Sequence, residues 1–561
     1  MKHKPKNKFL RFILFLSLFI ILAVAAFIIW YSIDTQLSKP HVNESIVNKL
    51  HREAIGPDQY RIGKNWLKKN DFGLWEMYLE GTPFERGVVS GKLTKELIYK
   101  QEKAFVDQIM EIIPSRSYLN FLKYFIRFFN RDIGDYILPE YQEEIYGISF
   151  SASDDFDFIG SKYERMLNYH ATHDIGHALQ DLMLVGCTSF AANMGFADSS
   201  LIIGRNFDFY INDAFAEDKI ICFENPDKGY QFAYITWASM IGVVSGMNNQ
   251  GLTVTINAGK SDMPFKSATP ISLLAREILQ YATNIEEAIE ISKKRKIFVA
   301  ESLLIGSAND NNVVIIEKSP SKLGVYTANY DYLVCSNHFQ SNAFLKDKAN
   351  QEQIQESTSS YRQNRVIELL SINDTINYLD AAWILRDRYG INSQHIGIGN
   401  EKAMAQMISH HSIIFQPLKR NIWVSTSPFQ LGKYLNYNLS HFFNSNYLKP
   451  DTTSYDTAYT VQSDPFLFSK EFGDYLRYKE ETVNIKKATQ AKTVLDDDYF
   501  RNFIELNPEY YMGYVLAGNY YFAMDMHEKA LEYYTYSLSK EFEKNSQLKE
   551  IQEKIQKLNN Q

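Results

Sequence analysis

The chain has 561 residues, of which 45% are hydrophobic, 14% aromatic and 22% charged, enough apolar surface to offset chain entropy and exclude a disordered protein. Its formal net charge of -7 excludes the basic balance that a phosphate backbone demands, so nucleic acid is not an expected partner. Three cysteines, Cys187, Cys222 and Cys335, exclude a disulfide framework and a four-thiolate zinc site, and two or three folded units are expected at about 100–200 residues each.

In chain order, Lys2, Lys4, Lys6, Lys8 and Arg11 precede an uncharged apolar run from Phe12 to Ile33. About 20 apolar residues at 1.5 Å each cross a hydrocarbon core of roughly 30 Å, so the run is long enough to span. Trp30 and Tyr31 suit the far interface, and the basic flank predicts a single-pass protein with a cytoplasmic N-terminus and an extracytoplasmic remainder. Ala23, Ala25 and Ala26 also suit a cleaved signal peptide. Cleavage there would begin the mature chain with the apolar Phe27–Ile33, which favours an uncleaved anchor over residues 1–34.

Residues 35–60 are polar and read as a stalk. Beyond them, Gly81-Thr82-Pro83-Phe84-Glu85-Arg86-Gly87 is a turn-rich start to a helix, and residues 102–129 carry apolar positions at helical period. From Cys187 to about Leu333, short β-branched and aromatic runs predict strands, including 200–204, 231–237, 252–256 and 312–317. The runs 271–281 and 285–293 predict a helix pair between them, which together imply layered α+β structure.

After a linker at 446–488, residues 489–561 form a different unit. Tyr514, Gly518, Tyr521, Ala530, Tyr534 and Ser537 recur with a spacing that resembles the helix-turn-helix of tetratricopeptide repeats. The final stretch sets Leu548, Ile551, Ile555 and Leu558 at helical spacing, a stripe that needs a surface to cover. No candidate catalytic group lies in this tail, which is expected to pack on the main body and to be dispensable for chemistry, with protein recruitment through its helices as the other reading.

The chemistry centres on Gly186-Cys187-Thr188-Ser189-Phe190 at the start of the strand-rich region. Polar clusters follow at turns between apolar runs: Gly204-Arg205-Asn206-Phe207-Asp208, Gly246-Met247-Asn248-Asn249-Gln250-Gly251-Leu252, Ser336-Asn337-His338 and Ser359-Ser360-Tyr361-Arg362-Gln363-Asn364-Arg365. In this order the set resembles the N-terminal-nucleophile cysteine hydrolases of the acyl-coenzyme A:6-aminopenicillanic acid acyltransferase family, relatives of choloylglycine hydrolases and acid-ceramidase-like amidases. The resemblance runs from roughly Trp75 to Leu435. It implies a four-layer αββα fold, a pro-region at 61–186, a hydrolase domain at 187–445 and self-cleavage between Gly186 and Cys187.

It also implies roles. The freed α-amine of Cys187, with an ordinary pKa of about 7.7–8.0, would act as base for its own thiol, which attacks an amide carbonyl to give a thioester. Arg205 would favour the thiolate, Asp208 would orient the ammonium, and the amides of Asn248 and Asn337 would receive the oxyanion. Arg362 would tie these groups together, with Arg365 as the fallback. The substrate implied is a small N-acyl amide or acyl donor, and no cofactor or metal is implied. Hydrolase and acyltransferase share the acyl-enzyme and differ in whether water or an amine resolves it.

Two other readings come from the residues. His170, His173 and His177 share one helical face, as zinc ligands should, although Asp174 stands where His-Glu-x-x-His peptidases carry Glu. Alternatively, the scaffold is inactive and the chain is a membrane-tethered binding protein.

Overall fold

Over 201–204, 232–237, 252–256 and 313–317 the predicted strand runs are buried on both faces, which is why they read as continuous β-branched and apolar segments instead of alternating ones. The computed structural model describes residues 6–113, 115–171, 184–194, 201–210, 213–261, 267–328, 330–444 and 450–560. Its strands form an eleven-stranded and an eight-stranded sheet. The larger sheet begins with Glu53–Gly56, Gln59–Ile62, Asn65–Lys69 and Trp75–Gly81 and continues through Ile220–Pro226, Phe232–Thr236, Ser245–Asn248, Leu252–Ala258, Glu301–Ser307, Asn312–Lys318 and Leu323–Tyr326. Trp75–Gly81 pairs in parallel with Ile220–Pro226, from Trp75↔Ile220 to Gly81↔Pro226. The smaller sheet runs Leu333–Cys335, Thr188–Ala192, Ile202–Tyr210, Ser409–Gln416, Asn421–Ser425, Tyr434–Asn438 and Asp456–Val461, with Leu184–Val185 as its eighth strand, paired to Ile202–Tyr210 off this path.

The sheets pack face to face through Ile203, Met247, Leu304, Ile315, Ile413 and Phe415. Helices Pro83–Leu93, Pro139–Ser149, Lys162–His170 and Ile271–Tyr281 cover the outer face of the larger sheet. Helices Ser359–Leu370 and Tyr378–Leu385 cover the smaller one. The layer order is therefore helix, sheet, sheet, helix.

Four fully buried side chains join the N-terminal part to the body. Arg86 reaches Glu144 at 2.9 Å and Glu224 at 3.0 Å, and Arg276 reaches Glu144 at 3.0 Å and also pairs with Glu224. This quartet links helices Pro83–Leu93, Pro139–Ser149 and Ile271–Tyr281 to strand Ile220–Pro226.

Two expected boundaries differ from the structure. Residues 53–60, expected in the stalk at 35–60, form with Arg61 and Ile62 the first two strands of the larger sheet, because Ile62 packs into the core with Leu67 and Met77. Helix Lys470–Ala491 crosses the expected junction at 488, since its Tyr478 and Ile485 pack with Phe503, Tyr511, Tyr520 and Tyr534 of the tail. Helices Asp497–Glu505, Tyr511–Ala523, His527–Ser537 and Asn545–Asn559 complete this unit. The stripe Leu548, Ile551, Ile555 and Leu558 rests on the same core.

At the other end, helix Lys6–Asp34 contains the stretch Arg11–Tyr31, long and apolar enough to cross a membrane and unburied by the rest of the chain. Helix Arg116–Phe129 lies beside its end: the Tyr31 hydroxyl donates to the Tyr124 carbonyl at 2.6 Å, and Arg131 approaches Asp34 at 3.5 Å. This second helix inverts the usual amphipathic arrangement. Its cationic side faces the body, with Arg127 pairing to Glu164 at 2.6 Å and Arg116 over the Phe158 ring. Its aromatic side faces out, with Tyr118, Phe121, Tyr124, Phe125 and Phe128 between 41% and 60% exposed.

Candidate active site

The junction at Gly186–Cys187 is built along one strand of the smaller sheet. Thr188–Ala192 pairs with Ile202–Tyr210 in the register Thr188↔Asn206 and Ser189↔Arg205, while Leu184–Val185 pairs further along it as Val185↔Phe209. Between these pairings the Gly186 N–H donates to the Asp208 carbonyl at 2.9 Å. The peptide linking Gly186 to Cys187 is thereby stretched beside the strand that supplies Arg205 and Asp208.

Cys187 is fully buried, and Arg205 Nη2 lies 3.6 Å from its Sγ. That guanidinium is fixed by the carbonyls of Val244, at 3.0 Å, and Ile256, and by the Ser245 hydroxyl at 2.6 Å. Ser245 Oγ in turn lies 2.8 Å from Nε2 of the buried His411. Arg362, in the first turn of helix Ser359–Leu370, donates to the carbonyls of Gly186 at 2.8 Å and Cys187 at 3.0 Å and to the Thr188 hydroxyl. Its other terminal nitrogen donates to Asn337 Oδ1 at 2.7 Å. Fixing that oxygen fixes the Asn337 Nδ2, one hydrogen of which goes to the Ala258 carbonyl at 3.1 Å. The Ser359 hydroxyl receives the Asn337 N–H and contacts His338 Nδ1, both at 2.7 Å.

Burial dominates the electrostatics. It pushes the Cys187 thiol up to about 11, with Arg205 pulling in the opposite direction. It also raises the Asp208 carboxyl to about 7, against the Ser409 hydroxyl and the charges of Arg362 and Arg205. Asp208 Oδ1 accepts from Ser409, whereas its buried Oδ2 has no hydrogen-bond partner among the described residues.

The structure thus brings together Cys187, Arg205, Asp208, Asn337 and Arg362. It commits two other sequence candidates to the fold. Asn248 donates to the carbonyls of Leu279 at 2.9 Å and Ala282 at 2.8 Å and accepts from the N–H groups of Gln250 and Leu252, so its amide closes a turn and has no hydrogen left for an oxyanion. Arg365 forms a bidentate pair with Asp387, both contacts at 2.9 Å, and holds a loop in place. Of the histidine cluster, His173 and His177 lie outside the described residues. His170 has both ring nitrogens engaged: Nε2 accepts from the Ile241 N–H at 2.9 Å and Nδ1 is 2.7 Å from the Met166 carbonyl. With burial lowering it to about 4, it is a neutral imidazole tied to the backbone.

Sequence reasoning misses two residues. Asn257 follows Ile256, whose carbonyl holds Arg205; its Oδ1 accepts from Ser189 at 2.8 Å and its Nδ2 lies 2.9 Å from the Cys335 carbonyl. Its signal in the sequence is Thr253, Thr255 and Asn257 at period two within an otherwise apolar strand, a polar file inside a sheet sandwich. Gln406, whose Nε2 donates to the Gly186 carbonyl at 2.8 Å, sits in a loop with no local signal.

Residues 196–428, under half of the chain, match the family of acyl-coenzyme A:6-aminopenicillanic acid acyl-transferases, the family that the motif order resembles. An uncharacterized protein of Archaeoglobus fulgidus is 26% identical over 281 residues, covering 46% of each chain, and Protein dcd1A of Dictyostelium discoideum is 23% identical over 313 residues, 51% of this chain and 64% of the relative. The chain therefore spans about half to two-thirds of the length of these curated relatives. Among solved structures, a Caenorhabditis elegans N-acylethanolamine-hydrolyzing acid amidase ortholog is similar at 19% identity and a TM-score of 0.32, over 41% of this chain and 93% of that one. A mutant form of the conjugated bile acid hydrolase from Clostridium perfringens is similar at 14% identity and a TM-score of 0.32, over 48% and 96%.

Proposed function

We propose that this chain, matching over residues 196–428 a family of acyl-transferases, is a membrane-anchored, self-processing cysteine amidohydrolase or acyltransferase acting on a non-peptide N-acyl amide. The observation that carries the reading is the buried Asp208 Oδ2, which has no hydrogen-bond partner among the described residues of the uncut chain. A buried carboxylate oxygen left unpaired is costly. Cutting before Cys187 creates an α-ammonium beside this strand, and that group supplies the missing donor.

After the cut, the neutral α-amine takes the thiol proton and the thiolate, held by the Arg205 charge, attacks the amide carbon. The carbonyl electron pair moves to oxygen, where the remaining Asn337 N–H offers a neutral donor. The C–N bond breaks, the leaving amine takes the proton from the α-ammonium, and a thioester remains for water or a second amine. The matched family is named for acyl transfer, which supports an acyl-enzyme at this point.

The membrane part of the proposal rests on the apolar stretch Arg11–Tyr31 and on the inverted helix Arg116–Phe129 against its end. An interfacial helix buries its apolar face about 5–10 Å into the headgroup region, which would cover the outward Phe121 and Phe125. The tail is read as a tetratricopeptide-like pair packed on the body.

The test is a denaturing gel with N-terminal sequencing of the full chain. Two pieces are expected, the second beginning at Cys187, with turnover of an N-acyl amide abolished by thiol alkylation and untouched by a chelator. An intact wild-type chain without an α-amine on Cys187 would remove the base from the mechanism.

A further inference from the structure

The Gly186 carbonyl, the one the proposed self-cleavage must attack, receives two side-chain donors at 2.8 Å each: Arg362 Nη1 and Gln406 Nε2. A Cβ on residue 186 would lie 2.5 Å from Gln406 Oε1 and 2.7 Å from Nε2, so a larger residue there would push that amide aside. The amide of Gln406 is therefore pressed onto the peptide unit that breaks.

What aims Gln406 is a loop clamped from two sides. On the body side, the Ala405 N–H donates to the Asp387 carbonyl at 2.8 Å and Asn206 Nδ2 donates to the Met404 carbonyl at 2.9 Å. On the other side stands the helical tail. The Asn507 side chain pairs with both backbone groups of Ile398, donating to its carbonyl at 2.8 Å and accepting from its N–H at 3.0 Å. Asn400 donates to the Glu541 carbonyl at 3.1 Å, and the Glu401 N–H donates to Glu543 at 3.0 Å. Gly397, at φ +84°, lets Tyr510 close on the loop, since a Cβ there would lie 2.4 Å from the Tyr510 Cβ. Ala405 and Met407 are buried under Phe472 and Tyr475 of helix Lys470–Ala491.

We infer that Gln406 and Arg362 form the oxyanion hole of the self-cleavage step, and that the helical tail is the brace that holds Gln406 in it. In that step the Cys187 sulfur bonds to the Gly186 carbonyl carbon and the π pair moves to oxygen, between the two donors. Collapse breaks the C–N bond, the nitrogen takes the thiol proton to become the α-amine, and water then hydrolyses the Gly186 thioester to a carboxylate and a free thiol. Both donors already lie 2.8 Å from the ground-state carbonyl oxygen, so a charge developing there meets them in place. The inference rests on the self-processing reading and reverses the expectation that the tail is dispensable.

The test is the rate at which full-length chain converts to two pieces, measured on folded protein checked by circular dichroism. Gln406→Leu, and the isosteric Gln406→Glu, which lacks the donor, should slow conversion by about 10²–10³. Asn507→Ala, far from the junction, should slow it by up to about 10² through misplacement of the loop. Glu528→Ala, in the tail but off the loop, should leave the rate unchanged. Conversion of Gln406→Glu at the wild-type rate overturns the oxyanion role, and wild-type conversion of folded Asn507→Ala overturns the brace. Cleavage persisting in Cys187→Ala would instead sink self-processing itself.

Discussion

Two clusters of buried charge lie within one molecule, and they are assembled on opposite rules. The quartet Arg86, Glu144, Glu224 and Arg276 sets two cations against two anions, all fully buried, with each guanidinium touching both carboxylates. The site sets Arg205 and Arg362 against the Asp208 carboxyl, raised by burial to about 7, the buried Glu301 carboxyl and a thiol raised to about 11. In the first cluster each charge faces its opposite, with Arg86 also reaching Asp227 at 3.3 Å, and the cluster holds parts together. The second holds groups whose charge can change, a thiol and a carboxyl displaced by burial, beside cations that a thiolate or a tetrahedral oxyanion would meet, as expected where charge must develop during reaction.

The sharpest way to separate the clusters is to remove one member of each. Cys187→Ala should abolish conversion to two chains and all turnover while leaving the melting temperature close to that of uncut wild type. Arg276→Ala leaves buried Glu144 and Glu224 short of a partner and should cost about 3–5 kcal/mol of stability, read as a lower midpoint in urea. Asn337→Ala should lower amide turnover by about 10²–10³ with little change in midpoint, whereas Asn248→Ala should lower the midpoint and leave any turnover loss proportional to unfolded protein. A chemical defect in Arg276→Ala out of proportion to its unfolding would erase the distinction.

The smallest effect is a pH slope. Asp208 titrates near 7 in the uncut fold and near 3.8 unfolded, so between those values the folded chain holds one proton more than the unfolded chain. Stability of the Cys187→Ala precursor should therefore be fully present below the lower value and fall as pH rises, by at most about 1.4 kcal/mol per unit. Asp208→Asn should flatten that slope. An unchanged slope would place the titration elsewhere.

The motif order in the sequence carries Cys187, Arg205, Asp208, Asn337 and Arg362 to one site: Arg205 and Asp208 lie within strand Ile202–Tyr210, Cys187 precedes and Asn337 follows strands paired beside it, and Arg362 stands in the first turn of a helix laid on them. Asn248 misleads because an Asn before Gly251, at φ +77°, is what a tight turn requires, and the same residue type serves an oxyanion. Asn257 is hidden by texture: in a strand buried on both faces a functional amide breaks no apolar run. Gln406 cannot be read at all, since its partner lies 220 residues away and its position depends on the tail. The strands and layers are legible from β-branched runs, while residues 53–62 are not, because two short, partly exposed strands look like polar linker until Trp75–Gly81 completes the sheet beyond them.

That same strand, Trp75–Gly81, sits inside the larger sheet, hydrogen-bonded to Asn65–Lys69 on one side and Ile220–Pro226 on the other. Before a cut at Cys187 the pairing closes a loop within one chain, and folding is first order. After it, the same pairing joins two chains, and recovery from full unfolding becomes second order in protein. Dilution, which leaves an uncut chain untouched, would then slow refolding of a cut one, and the proposed cleavage would have to follow completion of the sheet.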